Sequence, residues 1–289
     1  MTRRDQNGDI HIGPHVDDDH IPPWLRVLTG DVTAVSDSVL NRGGDRTRWA
    51  AMFQRNRRAA AVLVLFAGSW DADPEHPGGL PADADVLLTE RASTLRQHSG
   101  QVAFPGGAFD PGDDYPVGTA LREAAEETGL TADGVDILAT LPTFPVPPSG
   151  FDVAPVVGYW RTPGPVDVVD PAETSRVVRV NLRDMLSRGN RFQVRRSVLG
   201  GRLYQGPAFL VDGLLVWGFT GGLIAAISDA AGWDVPWDTD DIRPLDAMIE
   251  QAGNGQVSGF AAVHPDGWQP ADDRAEATDD DGAGSGSRR

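Results

Sequence analysis

The chain has 289 residues, a formal net charge of -17, 40% hydrophobic residues and no cysteine. Disulfides and thiolate metal sites are therefore excluded, and broad nucleic-acid binding is disfavoured, because its affinity comes from cationic contacts to phosphate. Length and apolar content allow one large domain or two small ones with a sizeable core. A small anionic substrate remains admissible. Salt screens charges beyond about 10 Å, so a few local arginines outweigh the global field. Every basic residue is in fact an arginine. The first residues carry arginine but no apolar run of a secretory leader. No stretch approaches about 18 continuous apolar residues, so no membrane span is expected and the chain is assigned to the cytoplasm.

Residues 1–20 include His11, His15, His20 and the run Asp17, Asp18, Asp19. These are metal-ligating types, but with no apolar pattern around them they read as a flexible acidic arm. Residues 21–58 form a cap segment. Pro22 and Pro23 break structure there, and Trp24, Leu25 and Leu28 are spaced to pack on the domain that follows. A continuous apolar run at 59–66 reads as a buried strand. Residues 68–85 are rich in Gly, Pro and Asp and read as an exposed loop. A second strand begins at Val86.

Residues 104–130 then read FPGGAFDPGDDYPVGTALREAAEETGL. Pro116 suits the first turn of a helix, where its missing N–H has no partner to lose. Gly129 suits the left-handed position just past the end. Val117, Leu121, Ala124 and Thr128 make one helical stripe facing a core. Glu123, Glu126 and Glu127 make a second stripe of three carboxylates. They repel one another, and Glu126 and Glu127 lie at the helix end that disfavours negative charge. A solvated acidic face is the simpler reading of such a run. Three oxygen ligands on one face also suit Mg²⁺ or Mn²⁺.

Beyond the helix, 135–144 reads as a strand, 145–150 (PVPPSG) cannot extend it, and 151–160 resumes one. Val177, Val178 and Val180 suit a strand and 182–186 a short helix. Residues 206–220 read as a hairpin around Asp212 and Gly213. Residues 221–232 read as an amphipathic helix with Leu223, Ile224, Ile227 and Ala231 on one side. The main domain is set at 59–235, followed by a Pro/Asp-rich C-terminal extension over 236–270 and a disordered acidic tail over 271–289. Strands on both sides of the acidic helix, with a second helix late in the chain, fit an α/β class fold, an α/β/α sandwich around a mixed sheet.

Residues 122–130, REAAEETGL, match the second half of the Nudix box, G-x5-E-x7-R-E-U-x-E-E-x-G-U, at every fixed position. Counting back from Arg122 places Asp114 and Ala108 where the box has Glu and Gly; a loop one residue longer places Asp113 and Gly107 there instead. Residues 87–107 closely resemble L-L-T-x-R-S-x-x-L-R-x-H-x-G-Q-x-x-F-P-G-G, the mark of the coenzyme A pyrophosphatase branch, with Ala92 in place of the usual Ser. Further likeness lies in Ser149-Gly150-Phe151, in Asp170-Pro171-Ala172-Glu173 and in the Trp217–Gly222 run.

The resemblance implies a Nudix-like sandwich and a Mg²⁺- or Mn²⁺-dependent diphosphatase. It implies Glu123, Glu126 and Glu127 as metal ligands, Glu173 as an additional carboxylate reaching the metals, and Arg122 as the residue that orients them. Arg91, Arg96, His98, Gly106 and Gly107 would meet a nucleotide-diphosphate substrate resembling coenzyme A. The general base is left between a helix glutamate and Glu173. A Nudix hydrolase of ADP-ribose, NADH or a dNTP, and a non-catalytic sensor on the same fold, are the competing readings. Oligomeric state is not legible.

Overall fold

The computed structural model describes residues 11–30, 32–42, 57–92, 100–146, 149–198 and 202–252. In chain order the elements begin with β1 (Gly13–Pro14), a one-turn helix at Pro23–Leu25, α1 (Arg26–Gly30) and α2 (Val32–Arg42). Then come β2 (Arg58–Ala67), β3 (Asp85–Arg91), β4 (Val102–Ala103), β5 (Gly106–Ala108) and α3 (Val117–Thr128). After α3 follow β6 (Val135–Thr140), β7 (Phe144–Val146), β8 (Phe151–Trp160), β9 (Thr174–Asn181) and α4 (Leu182–Leu186). The chain closes with β10 (Arg191–Val198), β11 (Arg202–Val211), β12 (Leu214–Val216), α5 (Gly218–Ala230), β13 (Ile242–Pro244) and α6 (Leu245–Ala252).

The apolar run at 59–66 becomes β2, the centre of a 9-stranded mixed sheet. β2 pairs parallel with β8 and antiparallel with β3 and β5. A strand covered on both faces needs apolar side chains on both, which is why β2 lacks alternation. One face, through Ala61, Leu63 and Leu65, meets Ala120 and Ala124 of α3. The other, through Val64 and Phe66, meets Leu223, Ile224 and Ile227 of α5 together with Trp24, Leu25 and Leu28. Trp24, Phe66 and Trp233 form an aromatic triangle with ring centroids 5.6–6.3 Å apart. Trp24 donates its indole N–H to Ser69 O, and Trp233 donates its own to Trp24 O. The cap segment thus supplies core, as its apolar spacing suggests. The result is the α/β/α sandwich expected, with β10–β13 forming a second, 4-stranded sheet. Among the described residues no helix is long and apolar enough to cross a membrane.

Several expectations need correction. From residue 13 the acidic arm pairs with β6: Gly13 and Pro14 lie opposite Thr140 and Ala139, and His15 N–H reaches Leu138 O at 2.7 Å. The loop at 68–85 is exposed or part-exposed over most of its length, as expected, although Leu80 and Ala84 within it are buried. The strand expected at 135–144 breaks after Thr140, and Pro145 lies inside β7. Proline is tolerated there because, among the described residues, β7 pairs with β8 alone and its other edge completes no ladder. α5 begins three residues before the expected start and is buried on nearly every side, since α2 and β11 also pack on it. The boundary at 235 cuts through the second sheet: β13 pairs parallel with β10, and Leu245 and Met248 of α6 share a core with Phe192, Val194 and Trp217. The tail at 271–289 lies outside the described residues.

Candidate active site

α3 is closed by Gly129, which takes φ 68° and donates its N–H to Ala125 O at 2.9 Å. Its buried stripe is Ala120, Ala124 and Thr128, with Val117 and Leu121 half-buried beside it. Small residues at 120 and 124 let the helix lie close on β2 and β5. The acidic stripe is thereby turned toward the sheet edge at Gly106 and Gly107.

The three carboxylates sit in different surroundings. Glu126 is exposed at the side chain (61%), Glu123 is mostly covered (18%) and Glu127 nearly buried (10%). Glu127 Oε2 accepts the Gly106 N–H at 3.2 Å, and its Oε1 lies 4.0 Å from Arg91 Nη1. Burial pushes the Glu127 carboxyl up to about 7, against the pull of Gly106 and Arg91; the charges of Glu123 and Glu173 add to the rise. Burial also raises Glu123, while Arg122 opposes the shift. Glu123 lies flat against β5 because Gly107 has no side chain; a Cβ there would collide with the Glu123 carboxyl group.

Arg122 uses all three guanidinium nitrogens. Nε and Nη2 donate to the two oxygens of Asp113, both at 3.0 Å, and Nη2 also donates to Ala108 O at 2.9 Å. Nη1 donates to Glu123 Oε1 at 3.0 Å and Glu126 Oε2 at 3.1 Å. The Arg122 guanidinium, aided by the Asp110 N–H and the Thr119 hydroxyl, holds the Asp113 carboxyl well below the usual range. Of the two acids that the alignments offered, Asp113 is the one that Arg122 hydrogen-bonds. Sequence spacing left both open, because the loop's length is set by its turn and not by any residue pattern.

Glu173 is exposed, but the backbone of its loop is fixed: Ala92 N–H donates to Glu173 O at 2.8 Å, and Ser175 Oγ donates to Glu90 O at 3.1 Å. This brings Arg91, Glu127 and Glu173 into one neighbourhood. Arg91 Nε is buried without a hydrogen-bond partner among the described residues. Arg96 and His98 lie outside the described residues. Ser149 shapes a turn, accepting the Phe151 N–H at 3.3 Å and donating to Val146 O at 2.9 Å.

Among the described residues, no three acidic or imidazole side chains converge as a ready cation cage. The side chains of Glu123, Glu126 and Glu127 are instead held apart on one helix face. The physical reason at α3 is plain. Arg122 lies between Glu123 and Glu126, and Glu127 turns to the Gly106 N–H. Each carboxylate already has a cation or donor.

The NUDIX domain model matches residues 55–198. A Cronobacter sakazakii protein described as an uncharacterized Nudix hydrolase NudL is 39% identical over 184 residues, covering 60% of this chain and 82% of that protein. A Photorhabdus laumondii protein of the same description is 39% identical over 142 residues, covering 48% and 73%. Among solved structures, the Nudix hydrolase RenU from M. Smegmatis is 24% identical with a TM-score of 0.34, covering 44% of this chain and 73% of that one.

Proposed function

This chain belongs to the Nudix hydrolase family, a hydrolase acting on pyrophosphate bonds, and we propose that its substrate is coenzyme A or acyl-CoA, cleaved to 3',5'-ADP and a phosphopantetheine. The reaction adds water across a diphosphate: the water oxygen bonds one phosphorus, the bridging P–O bond breaks, and the bridging oxygen leaves on the other phosphate. The observation that carries the reading is the carboxylate face of α3, arranged by Arg122 and Asp113 opposite the glycine turn. The CoA assignment is supported by residues 87–107.

A divalent cation fits this donor set. Glu123 and Glu127 keep carboxylates in part-buried positions where burial disfavours their charge, and Gly107 leaves the space against which Glu123 lies. Mg²⁺ or Mn²⁺ would be held by Glu123, Glu126 and Glu127, with Glu173 as a further oxygen ligand; when bound it neutralises diphosphate charge and lowers the pKa of a bound water. The family's fixed arginine, Arg122, acts here through other side chains, tethering Glu123 and Glu126 to one guanidinium nitrogen. Arg91 offers a planar fork to a phosphate beside Glu127, and its Nε, which has no partner among the described residues, is the group such an oxygen would satisfy. Gly106 and Gly107 let backbone approach the diphosphate closely. Arg96 and His98 complete the proposed substrate contacts. A silent sensor would be expected to lose a metal carboxylate, and this chain keeps all three.

Incubation of the purified protein with CoA, ADP-ribose, NADH and dNTPs in Mg²⁺ or Mn²⁺, with products identified by mass, tests the assignment. CoA is expected to be turned over best. If CoA ranked last of the four, the specificity reading would be lost while the hydrolase class stood.

A further inference from the structure

Phe109 is a large apolar side chain left 38% exposed, on the loop that joins β5 to α3. That loop is fixed. The Phe109 N–H donates to Ala59 O at 2.9 Å, extending the β5 pairing with β2 by one residue. On one side Ala108 O is gripped by Arg122, and on the other the Asp110 N–H is bound by Asp113 at 3.1 Å. The ring stands edge-on to Tyr115, with centroids 5.6 Å apart and planes at 76°. Tyr115 is itself anchored, donating its hydroxyl to Ala60 O at 3.2 Å and packing in the core under α3.

Two facts place this ring on the carboxylate side of the sheet. Gly107 pairs with Ala61 and faces Glu123, and strand side chains alternate. The residue two positions further on therefore shares that face, about 6.5 Å along the strand. Tyr115, which the ring touches, belongs to the α3 face independently.

We propose that Phe109, braced by Tyr115, is the stacking platform for the nucleobase of the substrate. This rests on the reading of the substrate as a nucleotide-linked diphosphate. A part-exposed aromatic ring braced against a second ring suits a flat base, whatever hydrogen-bond pattern that base carries. The platform sits beside the diphosphate-binding face and is positioned by the same Arg122 and Asp113 that arrange it, so the base and the reacting phosphates share one rigid frame.

The test compares wild type, Phe109→Ala, Phe109→Trp and, as a control for losing an exposed apolar side chain elsewhere, Leu203→Ala (Leu203 is 58% exposed on β11). Direct titration with ADP and with inorganic diphosphate, each with Mn²⁺, is run beside KM and kcat for CoA. Phe109→Ala is expected to weaken ADP binding about tenfold or more, to leave inorganic diphosphate binding within about twofold, and to act on KM more than on kcat. Phe109→Trp should restore ADP binding, and Leu203→Ala should match wild type. Unchanged ADP affinity in Phe109→Ala, or equal losses for ADP and inorganic diphosphate, would overturn the platform. If wild type hydrolysed no nucleotide-linked diphosphate while Phe109→Ala still lost ADP selectively, the substrate reading would fall and the platform would stand.

Discussion

Replacing Asp113 with asparagine keeps the side chain's size but removes the charge that Arg122 grips at both carboxylate oxygens. Arg122 would then be free to swing, and Glu123 and Glu126 would lose their common tether. We expect hydrolysis by Asp113→Asn to fall about 10- to 100-fold, the usual cost of removing a partner that orients ligating groups. The same residue has a pH signature. Its folded pKa is depressed, so its contribution to stability is present above the unfolded carboxylate value of about 3.9 and is lost as pH falls through that range toward the folded value. Denaturant melts of wild type and Asp113→Asn should therefore differ fully at pH 7 and converge below about pH 4; a gap that widened on acidification would contradict the assignment. Arg122 and the three glutamates were legible in the sequence, because their spacing is fixed by the helix. Asp113 was left level with Asp114, because both sit on a loop, where spacing carries no period, and it is Asp113 that Arg122 grips.

At the scale of elements, α3 meets β5 with almost no space to spare, and Gly107 is where that shows. Gly107→Ala would drive a methyl group into the Glu123 carboxyl group, moving the helix or the side chain. We expect at least about a 10-fold loss of kcat/KM, by analogy with displaced ligand supports, with the overall fold retained by circular dichroism; an active Gly107→Ala variant would show that Glu123 need not lie there. The helix and the central strands were readable from period and composition. Two elements were not. β7 holds a proline because, among the described residues, it pairs on one side, a fact of topology that no local rule reports. α5 looks one-sided by its largest residues, yet Ala225, Ala226 and Ser228 are buried too, since small residues mark close helix packing as well as exposure.

At the scale of the whole molecule, residues 236–252 belong to the same structure as the residues before them. β13 is three residues long, lies in Pro/Asp-rich text and shows no alternation, so nothing local announces its pairing with β10. Leu245→Ala should destabilise the protein by about 2–5 kcal/mol, the range for emptying a buried leucine site, measured by urea unfolding; a cost under about 0.5 kcal/mol would mean α6 is dispensable. Trp24→Ala, which removes one ring of the triangle with Phe66 and Trp233, should cost about 3–5 kcal/mol by the same measurement. We propose that the carboxylate face of α3 drives divalent-metal hydrolysis of the CoA diphosphate. Its most direct test is the Mg²⁺-dependent release of 3',5'-ADP from CoA, followed by mass for wild type, Glu126→Gln and Glu127→Gln. Wild type should release 3',5'-ADP and phosphopantetheine, with both variants folded and slower by roughly 100-fold or more. Undiminished release by the two variants would contradict it.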